Sequence, residues 1–233
     1  MITNGVRVGC RMLLIEVSRM AQIYTVFMST LLGAIVLSGD ALARNRVSHE
    51  TVQQSAISEG GPTLAPFQHV RFCIRYPSEC KADAEGRSRV DLDPNTFDLL
   101  VRVNREVNVA IAPTNKSYDT NLSDGWTIAP GAGDCNDYAV TKRHELVQNG
   151  IPPRALRLSV VRTSSGIGHL VLVVATSKGD LVLDNLTETI RNWESTNYAW
   201  IKIQSTRDAR FWREVKPDAS TLSRAHHVRI AGR

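Results

Sequence analysis

No dense block of lysine or arginine interrupts this 233-residue chain, and no nucleic-acid-binding motif accompanies its basic residues. The 28 basic side chains are scattered among 23 acidic ones, so the formal charge of +5 reads as a solubility feature. Nucleic acid is therefore not an expected partner. Internal repeats are also missing, which argues against a repeat architecture. The apolar run over 23–37 carries no charge, but at about 15 residues it falls short of the roughly 20 that a spanning helix needs. Cysteine is scarce, with four in the chain, so each needs its own account. What remains, 42% apolar and 22% charged, suits one compact globular domain with flanking segments.

Arg7, Arg11 and Arg19 precede the apolar run, and Ala41-Leu42-Ala43 closes it just before Arg44. A charged start, a short apolar stretch and a small-residue exit together describe a secretory signal peptide. Residues 1–43 are expected to be cleaved, whether translation starts at Met1 or Met20. The mature protein is then periplasmic or secreted. A retained anchor is the alternative, and the length of the run opposes it. Cleavage removes Cys10 and leaves Cys73, Cys80 and Cys135. In an oxidising compartment neighbouring thiols pair, so Cys73 and Cys80 are expected to bridge their Pro77-containing loop. Cys135 is left over, and a leftover thiol in an exported protein is a candidate for chemistry.

Residues 44–66 are polar, contain Gly60-Gly61-Pro62 and Pro66, and read as a loosely ordered leader. The main domain is expected over 67–219, and 220–233 as a basic tail. Asp93-Pro94-Asn95 suits a helix start, and Pro113 stops that helix. Residues 114–134 read as loop, with Trp126 as the large exception. Asp134 is a good N-cap for a second helix over 135–148, which Asn149-Gly150 and Pro152-Pro153 end. Val- and Leu-rich runs over 155–162, 169–176 and 181–185 read as central antiparallel strands, with further strands at 198–203 and 211–215. Helices followed by a sheet make the fold class α+β.

Three residues stand where hydrolytic chemistry would put them. Cys135 opens a helix, and the positive end of a helix dipole favours thiolate, the reactive form in cysteine hydrolases. A buried structural cysteine is the bland alternative. His169 opens an apolar strand, and Asp184 closes the next in Leu183-Asp184-Asn185. A carboxylate ending a Leu/Val run needs a partner, and an imidazole supplies one. Cys135 would attack, His169 exchange the proton and Asp184 orient the ring. Parity puts His169 and Asp184 on one sheet face if the hairpin loop is even. A turn centred on Lys178-Gly179 would leave them about 13 Å apart along the strand. The pair requires a turn nearer Ser177, or a bulge.

Gly131-Ala132-Gly133-Asp134-Cys135-Asn136-Asp137-Tyr138-Ala139, then Lys142 and Gly150-Ile151-Pro152, resembles the bacterial transglutaminase-like cysteine proteinase family. The Gly168-His169-Leu170-Val171 and Leu183-Asp184-Asn185 segments, Asp124-Gly125-Trp126 and the Cys73/Cys80 loop fit the same pattern, over roughly 67–212. The resemblance implies a papain-like, transglutaminase-type core with Cys135, His169 and Asp184 as the triad. It also implies a protein substrate and no cofactor for the chemistry itself. One branch of the family trims surface adhesins under an inner-membrane regulatory receptor and binds calcium through acidic residues flanking the nucleophile. On that pattern Asp134 and Asn136 are the metal-site candidates, although an amide at 136 weakens such a site. Asp134 as a plain N-cap is the equal alternative. The Cys135 N–H is a natural oxyanion donor, and the Trp126 indole is a second candidate; for Trp126 a packed loop anchor is the competing reading.

Two rivals to hydrolysis remain at this point. Acyl transfer to an amine would use the same thioester. A non-catalytic binding module would keep the fold without needing the three residues.

Overall fold

A computed structural model of the chain describes residues 56–82, 86–114 and 125–216. The stretches read as a signal peptide and as a basic tail lie outside them, as does the expected leader up to residue 55. In chain order the elements are β1 (Glu59–Thr63), α1 (Phe67–Arg75), α2 (Pro94–Ala110), β2 (Ala112–Pro113), β3 (Ala132–Gly133), α3 (Cys135–Gln148), β4 (Leu156–Arg162), β5 (Gly168–Thr176), β6 (Gly179–Leu183), β7 (Arg191–Asn192), β8 (Ala199–Gln204) and β9 (Trp212–Val215). No helix among the described residues is long and apolar enough to cross a membrane.

Seven strands form one antiparallel sheet in the order β1-β9-β8-β4-β5-β6-β7, and β2 and β3 make a separate small parallel pair. The fold is therefore α+β. The middle strands are buried on both faces, which is why β5 reads as continuous Leu and Val rather than as an alternation. Leu170, Leu172 and Val174 share one core with Leu100, Val103 and Val107 of α2 and with Tyr138, Ala139 and Leu146 of α3. Val171, Val173, Val182 and Ile203 share a second core with Trp193 and Ile57.

The segment read as a loose leader needs correcting. Its last part is β1, the edge strand paired with β9. Gly and Pro hide it from sequence reasoning, yet both suit an edge. Pro62 sits on an edge strand, where a missing N–H is tolerated, and the register shifts between Glu59 and Pro62. A Cβ on Gly60 would come 3.1 Å from the Glu214 carbonyl oxygen. Helix α1 and the two-residue strands β2, β3 and β7 are the other elements that the sequence reading left out.

Both helices that set the site start where their caps dictate. Asp93 accepts from Thr96 N at 2.7 Å, with Pro94 at the first helical position of α2. At α3, Asp134 and Asp137 form a reciprocal capping box. The expected disulfide is present between Cys73 in α1 and Cys80 in the 3-10 turn that follows.

Candidate active site

The nucleophile candidate is fixed by a rigid corner. Asp134 takes Asn136 N on Oδ1 at 3.0 Å, while the fully buried Asp137 takes Asp134 N on Oδ2 at 2.9 Å and Thr127 N on Oδ1 at 2.8 Å. Gly133 is required by this corner, because a Cβ there would sit 2.6 Å from Asp137 Oδ2. Cys135, the one free cysteine of the described residues, thus opens α3 half-buried at the rim of a cleft.

The hairpin between β5 and β6 takes the course that a His169–Asp184 contact requires. Thr176 pairs with Gly179, so Ser177 and Lys178 form the turn, and Leu172 pairs with Leu183. Extending that register puts Asp184 opposite Val171, one diagonal step from His169, which long side chains span. His169 Nε2 lies 2.8 Å from Asp184 Oδ1. The Cys135 side chain lies near enough to the same imidazole to raise its pKa, and both line one cleft. With Nε2 engaged by Asp184, Nδ1 is the nitrogen left for the thiol. The three residues named from the sequence therefore meet.

The electrostatics follow from this contact. Burial alone would lower the His169 pKa, but hydrogen bonds and charge from Asp184 and Cys135 outweigh it and hold the ring at about 9. Burial works to raise the Asp184 pKa, yet His169, Tyr198 and the Leu186 N–H bring it below the usual carboxylate value. Both shifts describe one buried imidazolium–carboxylate pair.

Two residues of this neighbourhood escaped the sequence reading. Tyr198 donates its hydroxyl to Asp184 Oδ2, and its ring lies 5.8 Å from the His169 ring. Nothing in the sequence marks it beyond a strand-forming context. Lys142 was noted only as part of a motif. It is 1% exposed, on the stripe of α3 that also carries Cys135, Tyr138 and Ala139. Its Nζ stands 6.0 Å from the centre of the Tyr138 ring. Burial pushes the amine down to about 7 against the opposing pull of the Asp184 carboxylate.

Trp126 sits elsewhere. It is buried edge-on against His69, with ring centres 5.7 Å apart, and near Phe72; it does not line the cleft. This is the packed-anchor arrangement, so the indole is corrected out of the oxyanion set.

Asp134 and Asn136 make a poor calcium cage as placed. Asp134 Oδ1 already accepts Asn136 N and Asn136 Nδ2, and both Asp137 oxygens hold backbone N–H groups. Among the described residues, Asp134 and Asp184 are the only carboxylates lining the cleft, and Asp184 is committed to His169 and Tyr198. Calcium takes six to eight oxygens, often several of them charged, and this donor set does not supply them. Among the described residues, the one cluster of three His, Cys or acidic ligands is His69, Cys73 and Cys80, whose sulfurs are joined in the disulfide.

The cleft encloses about 880 Å³. Thr163, Ser164 and Ser165 line it together with Leu186, Thr187 and Thr189, and His169 and Asp184 are also part of its lining. Exposed Ile167 and Leu186 are among its lining residues and give it apolar contact points.

The family model described as bacterial transglutaminase-like cysteine proteinase matches residues 59–220. A search of curated proteins finds no match. Among solved structures, calcium-bound Legionella pneumophila LapG is similar at 19% identity and a TM-score of 0.44, over 58% of this chain and 82% of that one. A second LapG structure from the same organism gives 22% and 0.45 over 59% and 78%. The EGTA-treated form gives 22% and 0.43 over 59% and 79%. At these TM-scores the likeness is distant.

Proposed function

Because the chain belongs to the bacterial transglutaminase-like cysteine proteinase family, and is a cysteine peptidase, we propose that it hydrolyses peptide or isopeptide bonds through Cys135, His169 and Asp184. The observation that carries this is the 2.8 Å His169–Asp184 bond, with Cys135 beside the same ring in the lining of a large cleft.

The steps follow from the charges. An imidazolium next to the thiol favours the thiolate, which attacks the carbonyl carbon of the scissile amide. The oxygen that becomes negative faces the start of α3, where first-turn N–H groups such as that of Cys135 have no partner within the helix. His169 gives its proton to the leaving amine, and the C–N bond breaks to leave a thioester on Cys135. His169 then takes a proton from water as the water attacks, and the acid product leaves with the thiolate restored. Asp184 holds the ring so that one nitrogen faces the sulfur throughout, and Tyr198 fixes the second carboxylate oxygen. No step needs a metal.

The substrate is a protein. A surface adhesin as that protein, export to the periplasm or beyond, and control by an inner-membrane receptor extend the reading through the family resemblance. Comparing the exported proteins of cells carrying the wild-type chain with those carrying Cys135→Ala tests it. A surface protein that gains length in the variant supports the proposal. An unchanged set of chain lengths contradicts the processing role.

A further inference from the structure

Of the lysines and arginines among the described residues, Arg191 alone lines the catalytic cleft. It is exposed, and its guanidinium has no hydrogen bond or ion pair among the described residues. The two carboxylates of the lining are used elsewhere: Asp184 holds His169 and Tyr198, and Asp134 caps α3. Strand pairing fixes the place of Arg191. It lies opposite Val182, two residues before Asp184, so side-chain alternation puts Arg191 on the face to which Val182 and Asp184 belong. Its charge reaches the Tyr198 hydroxyl, where it opposes the effect of Asp184 on the phenol proton.

These contacts give the cleft a direction. Asp184 engages Nε2 of His169, on the far side of the ring from the nitrogen left for Cys135, and Tyr198 and Arg191 follow beyond Asp184. His169 gives its proton to the leaving amine, so that half of the substrate lies on the imidazole side of Cys135, toward Arg191. The neighbouring lining there is neutral, with Leu186, Thr187, Thr189 and Asn197. Resting on the hydrolase reading above, we infer that Arg191 selects substrates with an acidic side chain on the leaving-amine side of the scissile bond. A cation in a cleft concentrates the field on the bound chain, drawing a carboxylate and repelling lysine or arginine. The guanidinium edge can give a carboxylate two parallel N–H bonds, which a neutral amide side chain matches less well.

The test digests a synthetic peptide library of varied sequence and reads the cut sites by mass spectrometry. On the leaving-amine side, the wild-type protein should favour Glu or Asp over Gln or Asn by about tenfold in relative kcat/KM, the worth of one contact between charged groups. Raising the salt should shrink this ratio, because the contact is open to screening. Arg191→Gln should abolish the preference, and Arg191→Glu should turn it toward Lys and Arg. Equal cutting of acidic and neutral peptides by the wild type, or an acidic preference that survives Arg191→Glu, overturns the inference and leaves the hydrolase reading standing. No cutting above the Cys135→Ala background overturns both.

Discussion

Asp184 accepts three hydrogen bonds through its two carboxylate oxygens: His169 Nε2 and Leu186 N on Oδ1, and the Tyr198 hydroxyl on Oδ2. Tyr198 therefore acts through Asp184 as a positioning residue. Tyr198→Phe should keep the fold and lose about tenfold in kcat/KM, the worth of one hydrogen bond to a charged group. A variant with wild-type kinetics would remove Tyr198 from the account. The pH profile tests the other partner. His169 is raised above its free value, so its proton is held through neutrality and lost as pH rises through about 9. Activity should fall on that alkaline limb, and the stability that the ion pair contributes should fade in the same window. Asp184→Asn removes the carboxylate that raises the ring, so its limb should move to lower pH. At this scale Cys135, His169 and Asp184 were legible because each sits at an element boundary with its own chemical signal. Tyr198 was not, because the need of a second carboxylate oxygen has no sequence signature.

Helix α3 is the element on which the site depends, and its ends were readable because caps and stops are local chemistry: Asp134 at one end, Asn149 and Gly150 at the other. The Gly133 contact gives a sharp expectation. Gly133→Ala forces the buried Asp137 carboxylate off two backbone N–H groups, so it should cost about 2 kcal/mol of stability and slow Cys135 chemistry. Denaturant melts and alkylation rates measure both effects, and a silent substitution would mean that the corner is softer than described. The β5–β6 register was the least legible feature. Its turn is held at Ser177 by distant backbone, with Ser177 N on Val90 O at 2.8 Å and Leu92 N on Ser177 Oγ at 3.0 Å. No local pattern encodes such contacts. The same holds for β1, whose Gly-Gly-Pro sequence becomes a strand only because β9 is there to pair with it.

At the level of the whole molecule, the α+β architecture followed from the order of helix and strand patterns, whereas the inner structure of the cleft depended on tertiary contacts. Cys73–Cys80 closes a short loop with a sequence separation of 7, and such a bridge contributes about 2–3 kcal/mol in the chain-entropy view. Reductant should lower Tm accordingly and raise the accessible thiol count, while an unchanged melt would argue that the bridge is dispensable. Chelation should leave both Tm and turnover essentially unchanged, since the carboxylates at the start of α3 are committed to backbone. A large loss restored by calcium would show that the α3 entrance rearranges around an ion.

The most direct test of the central claim needs no substrate. Cys135 is the one free cysteine of the described residues, so its alkylation by iodoacetamide at neutral pH can be followed by intact mass in wild type and in His169→Ala. If the His169 imidazolium activates the thiol, the wild-type protein should react at least about tenfold faster than the variant, in the native state and without denaturant. Slow alkylation that is equal in both proteins and speeds up only on unfolding would contradict the triad.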